Sequence, residues 1–403
     1  MLQLESFPHI GEQIFVHFDT PVLLKWRLVS KVWKKIAEDA LAKLWKDKIF
    51  LALETNRFGI IKILLEHPKC EEIDWNVTQT EQIGFADITP FMWACKNGQT
   101  NVVKLFMDHS DKNIDLNAKC IGSHGGWTAL MWACINGHTE IVKLLLNHSN
   151  PKIDVNPRDE CGFTAFMAAC LIGNYEIIKM LLDQTDPSID VNAKANDEST
   201  GFMSACTNIK LENINEHKEV VKLLLDHPEI DFNAQEYWGE TAFMQACSFG
   251  NLEIVKLLLE SSDIDFYAQD YHREETAFMM ACKKGETEVV KLLLDNLEID
   301  LNETNNLGRT PLMNACTDGH KDVVKLLLDH SERIELNAID DCERTAFMWA
   351  CFDGNKDVVK LLLECPKVVD KYIPEDFPIP QEIKNQIKMH SKRTNRWRPK
   401  IQK

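Results

Sequence analysis

The sequence predicts an all-α chain in which helix pairs with short β-turn connections stack into a solenoid, preceded by a small helical module of different character. Three observations lead there. A Thr-Ala-Phe-Met-like heptapeptide recurs, starting at Thr89, Thr128, Thr164, Thr200, Thr241, Thr276, Thr310 and Thr345. Successive threonines are 39, 36, 36, 41, 35, 34 and 35 residues apart, a period that belongs to stacked supersecondary units and not to separate globular domains. Every heptapeptide ends in cysteine, at Cys95, Cys134, Cys170, Cys206, Cys247, Cys282, Cys316 and Cys351. Periodicity therefore replaces the two or three domains that 403 residues would otherwise suggest.

The chemistry of one unit shows why it repeats. Thr128 is placed to N-cap a short helix on which Leu130, Ala133 and Cys134, at i, i+3 and i+4, share an apolar face. The small Ala and Cys let a neighbouring helix approach closely. Gly137 suits a left-handed helix stop, and the second helix follows over residues 140–146, with apolar residues around more than half its circumference, as cover on both sides requires. Residues 153–156, I-D-V-N, read as a short extended segment before the next turn. A degenerate unit over residues 49–67, with I-I-K-I-L-L as its second helix, caps the array, so about nine units occupy residues 49–365. Pro374, Pro378 and Pro380 then interrupt the chain; residues 366–403 read as a linker, a last short helix over 381–390 and a basic tail.

The period and the T-A-F-M-x-A-C core resemble ankyrin repeats over roughly residues 49–365. The family's T-P-L-H-x-A-A has His where this chain has Met, which exchanges a Thr/His hydrogen bond for thioether packing and bears on rigidity, not on fold. The resemblance implies an inner surface that binds other proteins.

Residues 1–48 lack that signature. They present, in order, Pro8, Ile14-Phe15, Phe18, Leu23-Leu24, Arg27, Val29-Ser30-Lys31, Trp33 and Leu44-Trp45. This order resembles an F-box, with one residue missing between Pro8 and Ile10 and Val22 where the family often has an acid. A module of about 40 residues is too small for a large private core, so a partner is expected to complete its apolar surface. The resemblance implies that this partner is the Skp adaptor of cullin-based ubiquitin ligases, with Pro8, Ile14, Phe15, Leu23, Leu24, Val29 and Trp33 contacting it or supporting the contact surface. The alternative is a helical cap on the array.

Charge is unevenly placed. The formal net charge is -17; residues 1–48 carry +2 and residues 384–403 carry +8, which leaves -27 between them. Such a field disfavours nucleic acid and anionic membranes and favours a protein target with a basic segment. The basic tail from Lys392 reads first as a plain solvated, disordered segment, with a nuclear signal or a contact for RNA or an acidic surface as the alternative. With 45% hydrophobic and 27% charged residues and no apolar run of spanning length, a soluble, unprocessed chain of the cytoplasm, with access to the nucleus, is expected. Equivalent cysteines roughly 8 to 10 Å apart exceed the ~7 Å reach of a disulfide, so thiols in a reducing compartment are expected. His67, His109, His148, His227 and His330 recur at second-helix ends, where a helix cap accounts for them. No phosphate loop, H-E-x-x-H or metal spacing emerges, so no enzyme, cofactor or metal is expected.

Binding residues are expected where the repeat varies. The position after Met holds Trp93, Trp132, Ala168, Ser204, Gln245, Met280, Asn314 and Trp349, a mixture that suggests partial exposure. One turn later stand Asn97, Asn136, Ile172, Asn208, Phe249, Lys284, Asp318 and Asp353, on the same stripe. Turn tips carry Trp127, Tyr237, Trp238 and Tyr271, which anchor interfaces or pack on neighbouring turns. The candidate contact set is Trp93, Trp127, Trp132, Tyr237, Trp238, Gln245, Tyr271, Asn314 and Trp349. Longer loops after Asn76 and Asn117 read as specificity elements, and the insertion over residues 209–216 as a surface loop. Two functions follow: a substrate receptor of a Skp/cullin/F-box ligase, monomeric before assembly, or a scaffold or sequestering protein, viral or symbiont, whose start is only a cap.

Overall fold

The computed structural model describes residues 49–55, 57–66, 75–76, 78–80, 86–110, 113–122, 125–149, 151–207, 214–368 and 378–394. The predicted adaptor-binding residues Pro8, Ile14, Phe15, Leu23, Leu24, Val29 and Trp33 lie outside them, as do Asn208 and the tail after Thr394. The chain divides into two compact units, Met1–Asn196 and Asp197–Lys403.

The first unit contains four described helix pairs: α1 (Ile49–Glu54) with α2 (Phe58–Glu66), α3 (Pro90–Lys96) with α4 (Thr100–Asp108), α5 (Ala129–Ile135) with α6 (Thr139–Leu146), and α7 (Ala165–Ile172) with α8 (Tyr175–Leu182). The degenerate first repeat is thus a helix pair. The two long loops join in a small antiparallel sheet, β1 (Gln79–Thr80), β2 (Ala86–Ile88) and β3 (Ile121–Gly122), in that order, with Asp87 opposite Ile121.

The second unit holds α9 (Gly201–Thr207) with α10 (Ile214–Leu225), α11 (Ala242–Ser248) with α12 (Leu252–Leu259), α13 (Ala277–Lys284) with α14 (Thr287–Asn296), α15 (Pro311–Thr317) with α16 (Lys321–Asp329), and α17 (Ala346–Phe352) with α18 (Lys356–Glu364). The insertion read as a surface loop needs correction at its end, because residues 214–216 form the first turn of α10. His217, the buried residue that follows, sets its ring nitrogen on the Ala205 carbonyl of α9 at 3.3 Å. A last helix, α19 (Gln381–Thr394), runs beyond the 381–390 expected and seats Ile383 and Ile387 in the core, with Gln386 donating to the Lys356 carbonyl at 2.8 Å.

Local chemistry explains the helices. Each heptapeptide Thr turns its hydroxyl oxygen to the backbone N–H three residues on, as Thr164 does for Met167 at 3.2 Å and Thr310 for Met313 at 3.3 Å. Pro90 and Pro311 occupy the first helical turn, where a missing N–H costs nothing. Beyond the cap the helix is buried nearly all round, so the single apolar face read from the sequence understates it: Leu130, Met131, Ala133 and Cys134 are each at most 1% exposed. First helices pack on one another in chain order within each unit, α3 on α5 and α5 on α7, then α9, α11, α13, α15 and α17. The eight ladder cysteines sit in these contacts. Burial drives the thiols of Cys95, Cys134, Cys206, Cys247, Cys282 and Cys316 well above the usual range and that of Cys351 up to about 12, which removes them as nucleophiles.

Two sets of side chains tie neighbouring repeats together. At several second helices the entering residue reaches back to the first helix of the repeat before: Gln99 donates to Leu53 O at 2.8 Å, Asn251 to Cys206 O at 2.9 Å and Asn355 to Thr317 O at 2.8 Å, whereas Asn174 caps its own helix by accepting from Ile177 N at 3.0 Å. His138 and His320 also reach back, to Lys96 O and Lys283 O at 2.9 and 2.7 Å, which places their protons on Nε2. Gly285 has φ +81°, and a Cβ there would stand 2.3 Å from Nδ1 of His320, so this helix stop needs glycine for its backbone and for the approach of the next repeat.

The second tie is the asparagine of the I-D-x-N segments, at Asn76, Asn117, Asn156, Asn233 and Asn302. Its amide donates to one carbonyl of the following repeat's segment and accepts from an N–H two residues later: Asn117 with Lys152 O and Asp154 N at 2.9 Å each, Asn233 with Asp263 O at 2.7 Å and Asp265 N at 2.8 Å, Asn302 with Arg333 O at 2.8 Å and Glu335 N at 2.6 Å. Asn302→Ala removes both bonds and is expected to lower stability by about 1 to 3 kcal/mol in urea unfolding, two bonds at ~1 kcal/mol each. A change below about 0.3 kcal/mol would show that the amides decorate the stack without holding it.

Candidate partner-binding groove

In the second unit the turns before α11, α13, α15 and α17 project as fingers, and a polar side chain at the root of each holds it. Glu236 Oε1 accepts from Trp238 N and Glu240 N at 2.9 and 3.0 Å; Asp270 accepts from His272 N, Arg273 N and Glu275 N at 2.8, 2.6 and 3.1 Å. Asn305 takes the amides of Leu307 and Arg309, both at 3.0 Å, and Asp340 those of Cys342 and Arg344 at 3.0 and 2.8 Å. All four are buried. Neighbouring fingers are also joined through backbone, Tyr271 N to Trp238 O at 2.8 Å and Asp341 N to Leu307 O at 3.1 Å.

In the second unit, fingers and first helices enclose a cavity of about 190 Å³ lined by Trp238, Asp270, His272 and Arg273 from the fingers and by Met280, Lys283 and Lys284 from α13, with Glu240, Ser248 and Glu275 completing it. The aromatic wall is open: Tyr237, Trp238 and Tyr271 are 62%, 57% and 67% exposed, and Phe249, next in the chain to the cavity-lining Ser248, 64%. Trp238 meets Tyr237 edge-on at 5.1 Å and His272 at 5.6 Å, and the Tyr271 hydroxyl donates to Gln235 at 2.7 Å, so these rings are held in place while their faces remain accessible. Gln245, half-buried, bonds through its side chain to Glu240, whose pKa is pushed above the ordinary carboxylate range by burial and by the adjacent Glu236.

Three of the expected contact residues at the variable positions depart from the partial exposure read from their variability, whereas Trp93 and Gln245 are half-buried as expected. Trp132 (8% exposed), Asn314 (3%) and Trp349 (7%) are buried. Trp132 lies under Lys96, whose Nζ is 4.4 Å from the ring, and packs on Trp127 at 4.7 Å. Trp127 itself is half-buried, stacked on Phe163 at 6.2 Å with its indole N–H on Asp159 at 2.8 Å, so at this tip packing on a neighbouring turn is the outcome. Asn314 donates to the buried carboxylate of Glu275 at 3.1 Å, which also receives Asn305 at 3.2 Å and Lys283 at 2.7 Å. Trp349 is covered by Arg309 and Arg344, 3.9 and 4.7 Å from its ring, and donates to Asp340 at 2.9 Å. Trp93, half-buried, meets Phe50 edge-on at 6.1 Å. Variation at this position reflects a different local packing solution in each repeat.

A family model for Ankyrin repeats (3 copies) matches the chain over residues 49–159, 91–195, 151–236, 188–270, 244–340 and 278–373, which overlap into one continuous stretch covering well over half of the sequence. The chain belongs to the ankyrin-repeat family. No F-box is detected, and no curated protein matches the chain. The ankyrin repeats make it a protein-interaction molecule, and among the described residues no helix is long and apolar enough to cross a membrane.

Reading the ankyrin units by residue type missed the finger roots and the asparagine ties. Both leave a trace, since an acid or Asn stands five residues ahead of the repeat Thr at Asp159, Glu236, Asn305 and Asp340 and six ahead at Asp270. Trp349→Ala is expected to cost about 3 to 5 kcal/mol in urea unfolding, the range for a buried aromatic, and Trp238→Ala under about 1 kcal/mol. The reverse order would mean that Trp349 belongs to the binding surface and Trp238 to the core.

Proposed function

We propose that this ankyrin protein is the substrate-recognition subunit of a Skp/cullin/F-box ubiquitin ligase. Residues 1–48 dock on the Skp adaptor and through it on a cullin, while the groove holds a target for ubiquitination. The observation that carries this reading is the ordered set Pro8, Ile14, Phe15, Leu23, Leu24, Val29 and Trp33 directly ahead of a repeat array with an open aromatic wall. The chain has no active site of its own in this reading, and its contribution is proximity between target and conjugating enzyme. Tyr237, Trp238, Tyr271 and Gln245 contact the target, which carries a basic segment suited to the acidic array. The subunit works in the cytoplasm or nucleus and is monomeric until it joins the complex. A sequestering scaffold that needs only the groove is the second reading, supported by the completeness of the finger and helix packing around the cavity.

Mixing the full-length chain with purified Skp adaptor separates the two. Binding is expected, and Trp33→Ala is expected to weaken it about thirtyfold, the ~2 kcal/mol of a buried aromatic anchor. A wild-type chain that never binds the adaptor leaves only the scaffold.

A further inference from the structure

The accessible side chains of the second unit's groove are ordered by chemistry along the stack. The equivalent position, at or just after the end of each first helix, holds Phe249, Lys284, Asp318 and Asp353 on α11, α13, α15 and α17, helices that pack in that sequence, and all four residues are exposed. The groove therefore presents an apolar end, then a cation, then two carboxylates.

The neighbours of each position reinforce its character. Phe249 directly follows Ser248, which lines the same cavity as the exposed Trp238. Lys284 shares its cavity with Arg273 and His272, while two of the acids lining the same cavity are committed elsewhere: Asp270 to three backbone amides, and Glu275, 2% exposed, to Lys283, Asn305 and Asn314. Glu240, the remaining acid, is hydrogen-bonded to Gln245 and lies within range of the Lys284 charge, while burial and Glu236 push its carboxyl above the ordinary range. Asp318 and Asp353 are close enough that burial and the charge of Asp318 raise the pKa of Asp353. Arg309 and Arg344 oppose that effect, but both are held against Trp349, and Arg309 also lies 3.8 Å from Asp340. Packed helices stand about 8–10 Å apart and an extended chain rises about 3.3 Å per residue, so one repeat corresponds to about three residues of an extended ligand.

We propose that this groove reads an extended segment of a partner protein whose side chains run apolar, acidic, basic, basic at intervals of about three residues, in one chain direction or the other. The inference rests on the groove being the partner site, and it narrows the basic target expected from net charge. A purely basic segment would place a cation against Lys284 and Arg273, a like-charge contact that works against binding. One acidic residue three positions from an aromatic one fixes the register.

Fluorescence anisotropy on the full-length chain, with labelled peptides Trp-x-x-Glu-x-x-Lys-x-x-Lys and its reverse, where x is Ser or Ala, tests this. One direction is expected to bind at least tenfold more tightly than the charge-swapped peptide Trp-x-x-Lys-x-x-Glu-x-x-Glu and than the all-basic peptide Trp-x-x-Lys-x-x-Lys-x-x-Lys. Lys284→Glu is expected to weaken the ordered peptide about tenfold and to favour the all-basic one; Lys284→Gln, which keeps length without charge, falls between. Circular dichroism confirms that both variants are folded. If the all-basic peptide binds wild type as tightly as the ordered one, the register is wrong while the groove remains the partner site. If no peptide binds, the groove reading itself fails, and this proposal with it.

Discussion

The groove depends on a polar side chain buried at the root of each of four fingers in the second unit. A turn projecting from a helix stack carries backbone N–H groups that no helix or sheet can satisfy, and leaving such groups buried and unpaired costs more than a typical hydrogen bond contributes. Glu236, Asp270, Asn305 and Asp340 each absorb two or three of them. Removing any one would free the finger and scatter the groove wall that it supports. The burial of these carboxylates is tolerable because the charge is spread over several amide donors.

Given rigid fingers, the division of labour among the aromatic residues follows from geometry. Rings that point along the stack, such as Trp349 between two arginines and Trp127 against Phe163, are consumed in joining one repeat to the next. Tyr237, Trp238 and Tyr271 at the finger tips touch neighbours only in part, Trp238 against Tyr237 and His272 and Tyr271 through its hydroxyl to Gln235, so they remain open and already restrained, a favourable state for binding because little side-chain freedom is left to lose. The asparagine ties do comparable work on the opposite edge of each repeat, where Tyr267 takes the place of Asn after I-D-F.

Much of this was legible in the sequence, and the limits are physical. The helix pairs, the Thr caps and the thiol ladder followed from periodicity, because a face buried by identical neighbours must recur at the repeat length. Exposure did not follow. Trp132, Asn314 and Trp349 vary among repeats as binding residues do, yet each is buried by a partner that comes from a different part of the chain: Lys96, Glu275 and Arg309. Those pairings are set by tertiary approach, which spacing cannot encode. The extra turn of α10 was hidden for a similar reason, since the contact that seats His217, its ring nitrogen on Ala205 O at 3.3 Å, is made across to α9. Residues 1–48 stand apart from this comparison, because their reading rests on residue order alone.

Hydrogen–deuterium exchange of the full-length chain tests the finger roots most directly. The amides of Trp238, Glu240, His272, Arg273, Glu275, Leu307, Arg309, Cys342 and Arg344 should exchange as slowly as those of the helices that follow them, although they lie in turns. Exchange at the rate of an open loop would contradict the account: the fingers would then be mobile and the groove would not exist before its partner arrives.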